Sequence, residues 1–134
     1  MALTADRNTP FKDGEIIVIP VAAGKKIFAG ALVAANATGF ATPGATAATL
    51  TYLGRAEEFV DNSAGADGAT TVQIRRGKAF KFKTAAGDPV VQADLGKTCW
   101  ITDDETVSKT NAGGTTQSAA GKVVGVESDG VWVQ

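Results

Sequence analysis

The sequence has no histidine, one cysteine and no long run of either charge or hydrophobicity. Without histidine the chain lacks the side chain best suited to moving protons near neutrality, so acid–base chemistry would fall to carboxylates, lysines and hydroxyls. Cys99 stands alone between Thr98 and Trp100, which excludes an internal disulfide and leaves no Cys or His companion for a zinc site. Thirteen basic residues against fourteen acidic ones give a net charge of -1, so no long-range positive field draws the protein to nucleic acid. The longest mildly apolar stretch, GALVAANATGFA, is interrupted by Gly39 and is too short to cross a bilayer. The opening MALTADRNTPF has no sustained apolar segment, so a secretory signal is not expected; a soluble protein made in a cytoplasm is.

What is present fits one small domain behind a short arm. The chain has 134 residues, 44% of them hydrophobic, with 16 glycines, and much of its apolar content is small alanine that fills little volume. Residues Met1 to Phe11 carry no apolar period. They read as an arm ordered by a partner, or as ordinary end fraying; the body is expected over residues 12–134. EIIVIPV is rich in β-branched residues and reads as a strand, with Pro20 marking an edge or an exit. In GKKIFAGALVAAN, Ile27, Phe28, Leu32 and Val33 suit two short extended pieces hinged at Gly30, and the recurring glycines argue against a long helix. ATGFATPGATAAT reads as a loop or short hairpin around Phe40.

The middle reads as a large hairpin: LTYLGRAEEFV, a tip at DNSAGADGAT, then TVQIRRGKAFKFK. Val72 and Ile74 share parity, as do Phe80 and Phe82, which leaves Arg75, Lys81 and Lys83 on the other face. Val90 to Leu95 suit a single helical turn stopped at Gly96. In TCWITDDETVSKT, extended residues bracket a polar hinge at Asp103, Asp104 and Glu105, a composition that favours a turn over an acidic reaction centre. At the end, KVVGVES-DG-VWVQ fits a two-residue hairpin with Asp129-Gly130 at positive backbone angles. That register puts Val124, Val126, Val131 and Val133 on one face and Trp132 on the other. Trp132 is then a second-layer core residue or a subunit-interface anchor, and self-association is expected.

The motifs that tempt a chemical reading fail on particular residues. LGKT at Leu95–Thr98 looks like the end of a phosphate-binding loop, but its first glycine would fall where Val91 stands. A calcium loop starting at Asp61, Ser63 and Asp67 would need a glutamate where Val72 stands. Arg75, Arg76, Lys78, Lys81 and Lys83 form a basic cluster beside Phe80 and Phe82. Their alternation sets rings inward and charges outward, toward solvent or an acidic protein surface rather than toward bases. Glu57 and Glu58 are adjacent, so on a strand they point apart. Asp103 and Asp104 have no complementary base or oxyanion-binding donors. No catalytic residue, metal site or cofactor is expected.

The order of the pieces carries a resemblance. GEIIVIPVAAGKKIFAGALV leads to TYLGRAEEFV and VQIRRGKAFKFK, then DPVVQADLGKTCWITDDETVSKT and AAGKVVGVESDGVWVQ. The series resembles the head decoration, or capsid cement, proteins of tailed bacteriophages, over essentially the whole chain and most strongly from Asp88 through Val133. The resemblance implies a mainly β, barrel-like or tulip-like single domain with short hairpins and little helix. It implies a homo-oligomer, with a trimer favoured, on the outer surface of the virion head, made in the host cytoplasm and bound to the major capsid protein. No residue independently marks threefold symmetry. The shell-contacting arm would fall on Ala2, Leu3, Thr4, Ala5, Asp6, Arg7, Asn8 and Thr9, adding to a capsid sheet through backbone hydrogen bonds. The competing reading is a β-rich module of a phage tail or spike that contacts glycans.

Overall fold

A computed structural model describes all 134 residues. Twelve strands and two 3₁₀ turns make up the regular structure, so the domain is mainly β. The strands are β1 (Ile16–Pro20), β2 (Lys25–Ile27), β3 (Leu32–Ala35), β4 (Ala41–Pro43), β5 (Thr51–Ala56), β6 (Val60–Asn62), β7 (Thr71–Arg75), β8 (Phe80–Thr84), β9 (Thr98–Ile101), β10 (Thr106–Ser108), β11 (Ala119–Glu127) and β12 (Gly130–Val133). They form a closed barrel in the order β10-β8-β12-β11-β9, a five-stranded sheet in the order β1-β7-β5-β3-β4, and a β2–β6 ribbon.

Two cores result. Phe80, Phe82, Cys99, Ile101, Val107, Val123, Val131 and Val133 fill the barrel, and Leu32 and Ala34 pack into the same cluster. Val21, Ile27, Val33, Ala41, Val60, Val72 and Ile74 fill the other, between the sheet and the ribbon. The strand β3 is the wall between them. Its run of small and branched apolar residues is buried on both sides because alternate side chains enter different cores. Closing strands into a barrel also removes edges that would otherwise attract other chains.

Parity read from the sequence holds along β7 and β8: Val72, Ile74, Phe80 and Phe82 are buried, and Lys81 and Lys83 are exposed. The extended pieces around Gly30 are β2 and β3, and the helical turn before Gly96 is the 3₁₀ turn Gln92–Asp94. The acidic stretch at 103–105 joins β9 to β10, which pair antiparallel.

Two expectations are corrected. The large middle hairpin is divided: β5 and β7 do pair, but β6 leaves to pair with β2, and β8 joins the barrel. Its tip is fastened to the body. Buried Asn62 donates from Nδ2 to the carbonyls of Val21, Ala22 and Ala66, and Asp67 accepts the Ala23 N–H at 2.8 Å. The final hairpin is shifted by one residue. Glu127 faces Gly130, Val126 faces Val131 and Gly125 faces Trp132, so the turn is Ser128-Asp129. Gly130 serves a close approach instead of a positive backbone angle, since a Cβ there would lie 2.7 Å from the Phe82 carbonyl oxygen. An irregularity between Val123 and Gly125 then turns Val123 into the barrel and leaves Val124 exposed.

Candidate functional site

The arm lies outside both cores. Residues 1–14 are exposed, belong to no strand, and include the bare apolar side chains of Met1, Leu3 and Phe11. Ala2, Leu3, Thr4, Ala5, Asp6, Arg7, Asn8 and Thr9 make no hydrogen bond to the body; the chain is first fastened at Glu15. There the Glu15 carbonyl accepts the Arg76 N–H at 2.8 Å. Its carboxylate meets Lys78 at 2.9 Å and Arg75 at 3.2 Å. Lys78 first, then Arg75, holds this carboxyl below the usual range. A charged clamp therefore marks the boundary between arm and body.

Trp132 sits on the outside of the barrel with 36% of its surface exposed. Its ring lies against Gly125, where an added Cβ would come within 3.1 Å of Cδ1, so glycine gives the indole its seat. Lys81 stands 5.9 Å over the ring and pairs with Glu127 at 2.8 Å and Asp129 at 2.6 Å. Of the two roles open to Trp132 in the sequence, burial in the core is not the one observed.

The basic cluster is dispersed among carboxylates. Arg75 donates to Glu57 at 2.9 Å, Arg55 reaches the same carboxylate, and Lys83 meets Glu105 at 3.1 Å. Hydrogen bonds from Arg55 and then Arg75 hold Glu57 below the ordinary carboxylate range. The acids of the 103–105 turn are used locally: Asp103 accepts the Glu105 N–H at 2.9 Å, and burial raises the pKa of Asp104. Cys99 is enclosed in the barrel, and burial pushes its thiol up to about 11, far from the reactive thiolate range. Asp61 turns its Oδ1 to the N–H and hydroxyl of Ser63. No three His, Cys, Asp or Glu side chains are brought together as a metal cluster.

One exposed feature had no marker in the sequence. Phe28 and Phe59 stack in the open with centroids 5.3 Å apart, where the chain leaves β2 and enters β6. Phe28 follows β2 and Phe59 precedes β6, and the pairing of these distant strands brings the two rings together. No protein-family model, curated protein or solved structure matches the chain.

Proposed function

We propose that this chain is a structural decoration protein of a tailed-bacteriophage head. It binds the shell exterior as a homo-oligomer, with a trimer favoured, and opposes separation of neighbouring capsid subunits. The observation that carries this reading is the arm: fourteen exposed residues with no strand partner lead into a firmly hydrogen-bonded β body. Backbone donors and acceptors need partners, and an extended arm obtains them by adding to a sheet of another protein without a side-chain code. Ordering such an arm opposes binding entropically, so each contact is weak alone and effective when many copies share one shell.

Mechanism here means clamping, with no reaction step assigned to any residue. Arg75, Lys78, Lys81 and Lys83 pair with carboxylates of the chain, Asp103 accepts the Glu105 N–H, and Cys99 is enclosed in the barrel. The runner-up, a tail or spike module touching glycans, draws on the exposed Trp132 ring beside Glu127 and Asp129. Location separates the two. Purified protein mixed with expanded heads and with isolated tails should saturate the heads and leave the tails bare. Saturation of tails alone contradicts the proposal.

A further inference from the structure

The register of β1 decides which of its backbone groups are in use. Glu15 accepts from Arg76 and Val21 donates to Thr70, so odd-numbered residues turn their N–H and C=O toward β7. Even-numbered residues turn theirs away. Ala22 spends its outward N–H on the Ala41 carbonyl at 2.9 Å, and the Val21–Ala41 bridge closes the sheet at that end. Pro20, lacking an N–H, occupies an outward position where the ladder with β7 loses nothing. Ile16 and Val18 remain. Because β1 has no second strand neighbour, their two N–H and two C=O groups face solvent without a partner. Their side chains are exposed as well, at 39% and 56%.

Edges of this kind are normally guarded by charge, a bulge or a covering segment. The opposite edge of the sheet, β4, is only three residues long and is covered by Val21 and Ala22. By contrast β1 pairs without irregularity and carries no charged side chain. The chain's own arm does not cover it. Residues 1–14 belong to no strand and make no backbone hydrogen bond to Ile16 or Val18.

We propose that this edge pairs with the same edge of a second copy, antiparallel about a twofold axis at Ile17. Ile16 of each copy then faces Val18 of the other. The edge is complementary to itself in hydrogen-bond donors and acceptors. Each orphan N–H of Ile16 and Val18 meets an orphan C=O of the other copy, giving four bonds, and the outward Pro20 carbonyl stays with solvent. Four exposed apolar side chains join one patch, and no formal charge on β1 opposes the approach. The pairing is isologous, so it closes at two copies along this edge. It is independent of the shell and of the arm. Contact along one short strand falls below the ~1,200 Å² of stable interfaces, so association appears at high concentration or where copies are crowded.

The test is amide hydrogen exchange of the full chain across a dilution series, with mass followed by analytical ultracentrifugation. Ile17 and Ile19 amides should exchange slowly at every concentration. Ile16 and Val18 amides should exchange fast when dilute and slow by about tenfold or more as the mass rises to a dimer. Val18→Lys, at an exposed site, should abolish both changes at an unaltered melting temperature; if it fails to fold, the dilution series alone decides. Fast exchange at Ile16 and Val18 with a monomer mass throughout overturns the proposal. So does protection of these amides in a monomer, or a mass increase that folded Val18→Lys leaves intact.

Discussion

Leu32 and Val33 are consecutive residues of one strand, and each is completely buried in a different hydrophobic core. A single backbone thus carries the load of both the barrel and the open sheet. Neither half can loosen without disturbing the other's wall.

The first expectation concerns cooperativity. Leu32→Ala on the barrel side and Ile74→Ala on the sheet side should each lower stability by about 2–5 kcal/mol. Both should shift one common unfolding transition, because the cores share β3. Circular dichroism and intrinsic fluorescence recorded on the same urea titration give the check. Two separated transitions in either variant contradict the shared wall.

Buried Gln117 ties the far end of the barrel together. Its Nε2 donates to the Ile101 carbonyl at 2.9 Å and to Ser108 Oγ at 3.0 Å, and its Oε1 accepts the Ala112 N–H at 2.9 Å. Gln117→Leu takes the side-chain donor from the buried Ile101 carbonyl and breaks the tie to Ser108 and Ala112, so stability should fall by about 1–3 kcal/mol. Gln117→Glu should keep the acceptor and lose the donors. An undiminished urea midpoint in Gln117→Leu rules this role out.

Acid should weaken the fold in a defined direction. Lys78 lowers the pKa of Glu15, Arg55 that of Glu57, Thr110 that of Asp88, and Lys81 those of Glu127 and Asp129. A carboxylate with a lowered folded-state pKa contributes stability that is complete above its unfolded pKa and is lost as pH falls through the folded value. Asp104, raised by burial, acts oppositely, its contribution being lost as pH rises through its folded value. With Asp61, lowered by its hydrogen bonds from Ser63, six lowered groups against this one give a urea midpoint that is level near neutrality and declines below about pH 4. Glu57→Gln should flatten part of that decline. A midpoint that climbs as pH drops contradicts the assignment.

Gly130 and Trp132 test the final hairpin. Gly130→Ala forces a Cβ against the Phe82 carbonyl and should cost about 1–3 kcal/mol. Trp132→Ala removes a ring already 36% exposed, so its effect should stay below the ~3–5 kcal/mol typical of a buried tryptophan. Paired melting curves decide it; a larger loss at Trp132 than the full buried value means that the ring is covered in the working assembly.

Local periodicity was readable where strands alternate cleanly, as from Val72 to Ile74 and from Phe80 to Phe82. The arm was readable as a stretch without any such period. Long-range pairing was not. Nothing near Val60 indicates that its strand would abandon the hairpin for Lys25–Ile27, and nothing near Phe59 indicates Phe28. The last hairpin was misread for a local reason. Asp-Gly carries a strong turn preference, yet Gly130 was needed inside the strand where β8 comes close, and the irregularity beside Val124 absorbed the shifted residue. Within the candidate site, the sequence ended the arm at Phe11, whereas the first tie to the body is at Glu15, because that clamp depends on Lys78 and Arg75 arriving from distant sequence.

The most direct measurement compares full-length protein with protein lacking residues 1–9 in cosedimentation with expanded and unexpanded heads. Both proteins should show the same melting curve, since the deleted residues make no hydrogen bond to the body. Full-length protein should pellet with expanded heads to saturation, and the truncated form should bind at least about tenfold more weakly, a loss of roughly 1.4 kcal/mol or more. Equal affinity of the two forms for expanded heads contradicts the role given to the arm.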